Sequence, residues 1–176
     1  MPDNHHTYIY STDKLYLYNN DYPKNFGNVY HALIRKVSLN GDSVIFNGSF
    51  YKKDVSSSKR IVTTEQLPKS VLNIDYTYNN IHFEWSAPFF EAEEETEYSY
   101  FLKSNDEGWS NWSKRSDKEY TNLFKGSYAF HVKARNIYGT ESLTATYRFV
   151  ILSPWYRTLW AYLVYIALFY SLYGVL

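Results

Sequence analysis

The chain has 176 residues and no formal net charge at pH 7, because 18 Lys and Arg residues balance 18 Asp and Glu residues. It therefore lacks the basic excess that dominates nucleic-acid binding, and the absence of cysteine excludes disulfides, thiolate catalysis and cysteine-ligated metals. Aromatic residues make up 20% of the chain. This composition favours β-strands and is typical of extracytoplasmic β domains rather than helical enzymes.

The N-terminal region predicts a small and incomplete β unit. Neither a basic stretch nor an apolar stretch precedes residue 7, so no secretory signal is recognisable. Two short aromatic runs at 8–10 and 14–18 predict a pair of strands, and a loop follows at 19–28. Two strands cannot bury an apolar face alone. We therefore interpret residues 1–30 as the remnant of a larger β unit and a linker.

Residues 31–153 alternate polar and apolar side chains at short spacing. Ile81, Phe83 and Trp85 fall on one side of a predicted strand, and the polar residues between them fall on the other. The same period of two recurs at 31–39, 98–103, 128–135 and 145–151. About seven short antiparallel strands over roughly 120 residues predict an all-β fold, namely a sandwich.

The C-terminal segment 154–176 predicts a transmembrane helix. No charged residue occurs at 158–176, and as a helix this run would span roughly 28 Å, close to the hydrocarbon thickness of a bilayer. The residues at its entrance are typical of a membrane interface: Trp155, Tyr156, Arg157 and Trp160. The alternative is a buried core helix. Because the run ends inside its own membrane, we expect this chain to be a fragment of a longer protein.

No catalytic or cofactor-binding motif is recognisable. The sequence has no nucleophile elbow, no phosphate-binding glycine loop and no HExxH pair. Its five histidines are scattered, and the acidic run at 91–97 lacks the alternation of Asp, Asn and Gly found in calcium loops. We therefore expect no enzyme activity, no metal site and no cofactor.

A tyrosine corner is predicted around residue 128. Leu123, Gly126 and Tyr128 have the spacing of this motif, in which a phenol hydroxyl near the start of a strand bonds to upstream backbone. Fibronectin type III domains carry this pattern, which refines the predicted fold to a fibronectin type III or immunoglobulin-like β-sandwich followed by the helix.

A wider set of motifs resembles the triple-tyrosine (Y_Y_Y) domain of bacterial two-component sensors, many of them hybrid histidine kinases. Tyr100, Tyr120 and Tyr128 match the three tyrosines, and Leu123, Gly126 and Asn136 match flanking motif positions. The resemblance covers roughly residues 70–176 and rests on the order and spacing of these motifs.

The resemblance implies a role in signal transmission. In that family the domain lies in the periplasm, at the bacterial inner membrane, between a β-propeller that senses saccharide-type ligands and a transmembrane helix that leads to a histidine kinase. Residues 1–30 would then be the remnant of the last propeller blade, 31–153 the Y_Y_Y domain and 154–176 the membrane helix. The implied partners are a second copy in a homodimer and the propeller and kinase domains, with no nucleic acid.

A second interpretation assigns a binding function to the same fold. Trp109 and Trp112 could stack on a sugar ring instead of packing between strands. Exposed aromatic residues would then make the chain a membrane-anchored carbohydrate-binding or adhesive module.

Overall fold

The computed structural model describes residues 5–21, 29–53, 59–90, 92–157 and 159–173. Parts of the predicted loop at 19–28, the acidic run at 91–97 and the ends of the C-terminal run at 158–176 lie outside these ranges.

The described residues form twelve β-strands, four short 3-10 turns and one α-helix. The strands are β1 His6–Tyr10, β2 Leu15–Asn19, β3 Leu33–Leu39, β4 Ser43–Phe46, β5 Phe50–Lys53, β6 Arg60–Thr63, β7 Leu72–Ile74, β8 Ile81–Ser86, β9 Glu97–Lys103, β10 Asp117–Tyr120, β11 Gly126–Arg135 and β12 Ala145–Ile151, and the helix α1 is Leu159–Tyr173.

Two four-stranded sheets face each other in a sandwich. The first sheet has the order β10-β8-β3-β4 and the second has the order β7-β12-β11-β9. Most neighbours pair antiparallel, whereas β7 runs parallel to β12. The prediction of a mostly β, sandwich-type fold is confirmed.

Aromatic rings from both sheets fill the core. Phe83 of β8 stacks on Phe130 of β11, with ring centroids 4.1 Å apart and an interplanar angle of 11°. Trp85 lies beside the same Phe130 ring at 5.5 Å. On β8, Ile81, Phe83 and Trp85 are buried while the residues between them are half-buried. The period of two read from the sequence therefore separates the core side of this strand from its outer side.

Two further hairpins lie outside the two main sheets. Strands β1 and β2 pair antiparallel as a two-stranded sheet, and β5 and β6 form another. Most apolar side chains of β1 and β2 are exposed, including Tyr8, Tyr10 and Leu15. Both strands predicted near the N-terminus are present, and their origin in a propeller blade stays a prediction.

The described part of helix α1 does not support the membrane prediction. Its 15 residues correspond to about 22 Å, which is shorter than the roughly 30 Å hydrocarbon core of a bilayer. Hydroxyl groups at five positions also lower its apolar character: Tyr162, Tyr165, Tyr170, Ser171 and Tyr173. Within the described ranges, no helix has the length and hydropathy needed to cross a membrane. The described residues therefore do not support the predicted transmembrane helix at 154–176.

The four residues expected at a membrane interface lie beside this short helix. Trp155–Arg157 forms a 3-10 turn, in which the Arg157 backbone N–H donates to the Pro154 carbonyl at 3.0 Å. The side chains of Trp155 and Trp160 are both exposed. Their predicted role at a membrane interface requires a helix that spans the membrane.

The stack between the sheets generates a stability prediction. Phe83 is fully buried, so Phe83→Ala should lower the free energy of unfolding by about 3–5 kcal/mol through lost burial and a cavity. Phe90 is 85% exposed, and the control Phe90→Ala should change it by less than about 0.5 kcal/mol. Urea denaturation of both variants measures the difference. Equal losses would contradict the assigned core.

Candidate functional site

The three motif tyrosines lie on three different strands and in both sheets. Tyr120 is on β10 of the first sheet, while Tyr100 on β9 and Tyr128 on β11 belong to the second. Tyr120 and Tyr128 are buried and Tyr100 is half-buried. A buried hydroxyl needs a hydrogen-bond partner, so the contacts of each phenol indicate its role.

Tyr128 has the geometry of a tyrosine corner. Its hydroxyl donates to the carbonyl oxygen of Phe124, four residues upstream, at 2.8 Å. Its ring stacks on Phe149 of β12, with centroids 5.3 Å apart and planes 15° apart. Burial raises the pKa of Tyr128, so the hydroxyl remains a donor at neutral pH. The contact fixes the segment that leads from β10 of one sheet to β11 of the other.

Tyr120 reaches a carboxylate in the loop after β9. Its hydroxyl donates to Asp106 Oδ2 at 2.7 Å, and the same oxygen accepts the backbone N–H of Leu102 at 2.7 Å. Asn105 Nδ2 donates to the other carboxylate oxygen at 2.8 Å. Burial, together with the hydrogen bond to Asp106, raises the pKa of Tyr120 far above its ordinary value. This chain of bonds connects β10 of the first sheet to β9 of the second.

Tyr100 contributes a ring contact. Its ring centroid lies 4.9 Å from that of Trp85, which belongs to β8 of the opposite sheet. Tyr100 also lines a polar surface cavity of about 430 Å³ together with Asp106, Lys118 and Tyr120. All three motif tyrosines therefore make contacts that extend from one sheet to the other sheet or to the segment that leads there.

Two further tyrosines also make contacts between separate parts of the sandwich, although the sequence did not indicate this role for them. The Tyr98 hydroxyl accepts the backbone N–H of Ala87, directly after β8, at 3.2 Å. The Tyr30 hydroxyl donates to the Thr140 carbonyl, between β11 and β12, at 3.0 Å. Burial raises the pKa of both phenols. The alternation on β9 indicated a buried Tyr98, but no sequence signal identified either backbone partner.

The remaining motif positions shape loops. Leu123 is buried and its backbone N–H donates to the Asn79 carbonyl at 3.1 Å. Gly126 begins β11 beside the Tyr128 ring. The side-chain oxygen of Asn136 accepts the backbone N–H groups of Tyr138 at 3.0 Å and Thr140 at 2.9 Å, which closes the turn between β11 and β12.

Trp109 and Trp112 take part in a cluster with cations on the outer face of the second sheet. Lys133 Nζ lies 5.0 Å from the ring centroid of each tryptophan, and the Arg135 guanidinium lies 4.5 Å from that of Trp112. The ring of Trp109 also packs edge-on against that of Phe101, with ring centroids 4.7 Å apart. Because cations already occupy these rings, the geometry favours the packing interpretation over stacking on a sugar.

His82 and His131 occupy different surroundings on the outer faces of the sandwich. His82 Nε2 lies 3.2 Å from Asp117 Oδ2, and His82 Nδ1 lies 3.7 Å from a Glu84 oxygen. The hydrogen bond from His82, with help from Arg115, lowers the pKa of Asp117. Asp117 could not be found from the sequence because β10 pairs with β8 only in the fold, whereas Glu84 lies two residues from His82 on β8 itself. In the part of the chain that the structure describes, no cluster of His, Asp and Glu is arranged to hold a metal ion.

The hydroxyl contacts predict an order of stability losses. Tyr128→Phe removes a hydrogen bond to a neutral carbonyl and should cost about 0.5–1.5 kcal/mol, whereas Tyr120→Phe removes one to a carboxylate and should cost about 1.5–3 kcal/mol. Tyr128→Ala also opens a cavity and should cost about 3–5 kcal/mol. Urea denaturation gives these values, with the exposed Tyr78→Phe as control. A Tyr128→Ala variant as stable as the parent chain would refute the corner.

His131 predicts a pH dependence of stability. Its ring stacks on Phe101 at 4.7 Å, and burial, followed by the nearby Arg148 and Lys103 charges, lowers its pKa. As the pH falls below about 6.5, His131 therefore takes up a proton in the unfolded chain before it does so in the folded chain. This difference in protonation favours unfolding. The parent chain should lose more stability between pH 7.5 and 5.5 than His131→Phe does. Identical losses in denaturation experiments at the two pH values would contradict the assignment.

Comparison with known proteins agrees with the tyrosine pattern. Residues 90–152 match the family model of the Y_Y_Y domain, and no curated protein matches the chain in sequence. The fold is similar to the extracellular domain of the hybrid two-component system BT3049 of B. thetaiotaomicron, at 21% identity and a TM-score of 0.52 over 78% of this chain and 17% of that one. It is also similar to the extracellular domain of BT4673 from the same organism, at 20% identity and a TM-score of 0.52 over 86% of this chain and 19% of that one.

At this level of identity the two structures show a shared fold, and this chain spans less than a fifth of their lengths. The family model covers the strands from β9 to β12, together with Tyr100, Tyr120 and Tyr128. The predicted resemblance to the Y_Y_Y domain is therefore confirmed for residues 90–152 of this chain.

Proposed function

We propose that the chain is an extracytoplasmic, signal-transmitting domain of a two-component sensor. The observation that carries the proposal is the set of tyrosines whose hydroxyls and rings join the two sheets, within a segment that matches the Y_Y_Y domain. Such contacts resist sliding of one sheet over the other. A closely packed sandwich with fixed sheets passes a displacement at one end to the other end with little loss.

The two ends of the sandwich support a role in coupling. At the N-terminal side, Tyr30 bonds to the turn between β11 and β12, so a displacement of the incoming chain would reach the second sheet directly. At the C-terminal side, β12 ends at Ile151 and is followed by the buried Pro154. The chain entering the sandwich and the chain leaving it are thus both attached to the second sheet.

The finer parts of the proposal concern what lies at these ends. We place a β-propeller that senses a saccharide-type ligand upstream of the sandwich and a histidine kinase downstream of it. Ligand binding belongs to the propeller and catalysis to the kinase, and the sandwich itself is not an enzyme. The exposed aromatic side chains of β1 and β2 support an upstream β unit, because a two-stranded sheet needs a neighbour to bury its faces. The sensor works as a homodimer at the bacterial inner membrane, with this fibronectin type III-like sandwich in the periplasm.

The test separates transmission from ligand binding. Genomic DNA on both sides of this reading frame should encode the propeller and the kinase. A glycan screen identifies the saccharide that activates this full-length sensor. In that sensor, Tyr128→Phe should reduce ligand-stimulated autophosphorylation, measured with labelled ATP. The affinity for the activating saccharide, measured by calorimetry, should stay unchanged. The control Tyr78→Phe, at an exposed position, should change neither quantity. Flanking DNA without a kinase, or equal effects of both variants on output, would contradict the proposal.

A further inference from the structure

The chain contains two Asn-Gly pairs, and the structure places them at the two ends of β4. Asn40 and Gly41 lie between β3 and β4, and Asn47 and Gly48 lie between β4 and β5. Asparagine is a thermolabile residue. It is least protected before glycine, which has no Cβ to shield its backbone nitrogen from the preceding carboxamide. The hydrogen bonds around each pair then decide which of the two asparagines is reactive.

Asn40 is held by two hydrogen bonds. Its side-chain Nδ2 donates to the Thr77 carbonyl at 3.2 Å, and its backbone N–H donates to the Asn80 carbonyl at 2.9 Å. Both acceptors belong to the segment that precedes β8. The backbone of Asn40 is in the left-handed region, with a φ of 47°. Its carboxamide must therefore break the bond to Thr77 before the carboxamide carbon can approach the Gly41 nitrogen.

Asn47 is exposed and lacks these restraints. Among the described residues, its carboxamide has no hydrogen-bond partner, and the backbone N–H of Gly48 has none either. Gly48 is in the left-handed region, with a φ of 78°, and a methyl group at its Cα would lie 3.3 Å from the Arg35 carbonyl oxygen. The Gly48 nitrogen and the Asn47 carboxamide carbon are thus free of the hydrogen bonds that would keep them apart.

We propose that Asn47 is a site of spontaneous deamidation in the folded chain, whereas Asn40 is protected. The Gly48 nitrogen loses its proton to hydroxide and bonds to Asn47 Cγ. The bond from Cγ to Nδ2 breaks, and Nδ2 leaves as ammonia with a proton from water. Water then opens the resulting succinimide ring at either carbonyl, which gives aspartate or isoaspartate, and in isoaspartate the main chain runs through Cγ. The inference does not depend on the proposed sensor role.

The position of Asn47 gives this modification a structural consequence. The rings on either side of the loop, Phe46 and Phe50, stack with centroids 4.4 Å apart, and both lie within 6.1 Å of the Tyr147 ring on β12. Isoaspartate adds one carbon to the main chain between these two rings. Gly48 approaches β3 closely at the bulge of that strand, so there is little room on that side. The hairpin of β5 and β6 should therefore loosen from the second sheet.

Peptide mapping by mass spectrometry compares the two sites in the full chain. The protein is incubated at about pH 8, where more of the amide nitrogen is ionised than at lower pH, and samples are digested in acid. Conversion raises the mass of a peptide by about 1 Da, because OH replaces NH2. In the folded chain, Asn47 should convert at least tenfold faster than Asn40. In urea, where the fold restrains neither pair, the two rates should agree within about threefold.

Two matched substitutions assign the product. Isoaspartate is detected by an isoaspartate-specific methyltransferase, which transfers a labelled methyl group from S-adenosylmethionine to it. Asn47→Gln should remove most of this label, because glutamine closes the larger ring much more slowly, and Asn40→Gln should retain the label. Hydrogen exchange at the amides of Phe50–Lys53 should become faster as isoaspartate accumulates.

Four outcomes would each overturn the proposal. They are equal rates at both asparagines in the folded chain, the same ratio of rates in urea as in the folded chain, full retention of the label by Asn47→Gln, and unchanged hydrogen exchange in β5.

Discussion

The contact between the two sheets is the constraint on which the rest of this structure depends. At its centre, Phe83 and Phe130 stack face to face and exclude water from the interior. Around this stack, phenol hydroxyls bond to groups that belong to the opposite sheet or to the segments between the sheets. Apolar burial is not directional, whereas hydrogen bonds fix distance and angle. The ring stack therefore holds the sheets together, and the phenols fix their relative position.

This division of roles explains why tyrosine is used so often where phenylalanine would also fill the space. A buried phenol can bury its ring in the core while its hydroxyl satisfies a loop carbonyl or carboxylate at the margin. Tyr120 and Tyr128 act in this way at neighbouring loops, and Tyr30 acts near the incoming chain. Burial raises the pKa of all three, so they remain neutral donors. A domain built in this way changes position as a unit, which is what the proposed coupling role requires.

Local sequence patterns predicted the strands and the position of Tyr128, because alternation and turn chemistry act over a few residues. Partners distant in sequence could not be predicted. Gln66 reaches Arg148, and His82 reaches Asp117, only after the strands have paired. The predicted membrane helix lacks support for another reason: the absence of charge set an upper limit of 158–176 for it, whereas its described part covers 159–173 and carries several hydroxyls. Composition indicates where an apolar helix can occur and does not determine its length.

The central claim is that the two sheets behave as one rigid unit, and native-state hydrogen exchange tests it most directly. The amides of Phe83 in the first sheet and of Phe130 and Val132 in the second lie in the paired centres of β8 and β11. If the sheets open only together, all three amides should exchange with the free energy of global unfolding, measured independently by urea denaturation. An exchange free energy in one sheet that is clearly lower than the global value would mean that this sheet opens alone, and would contradict the account.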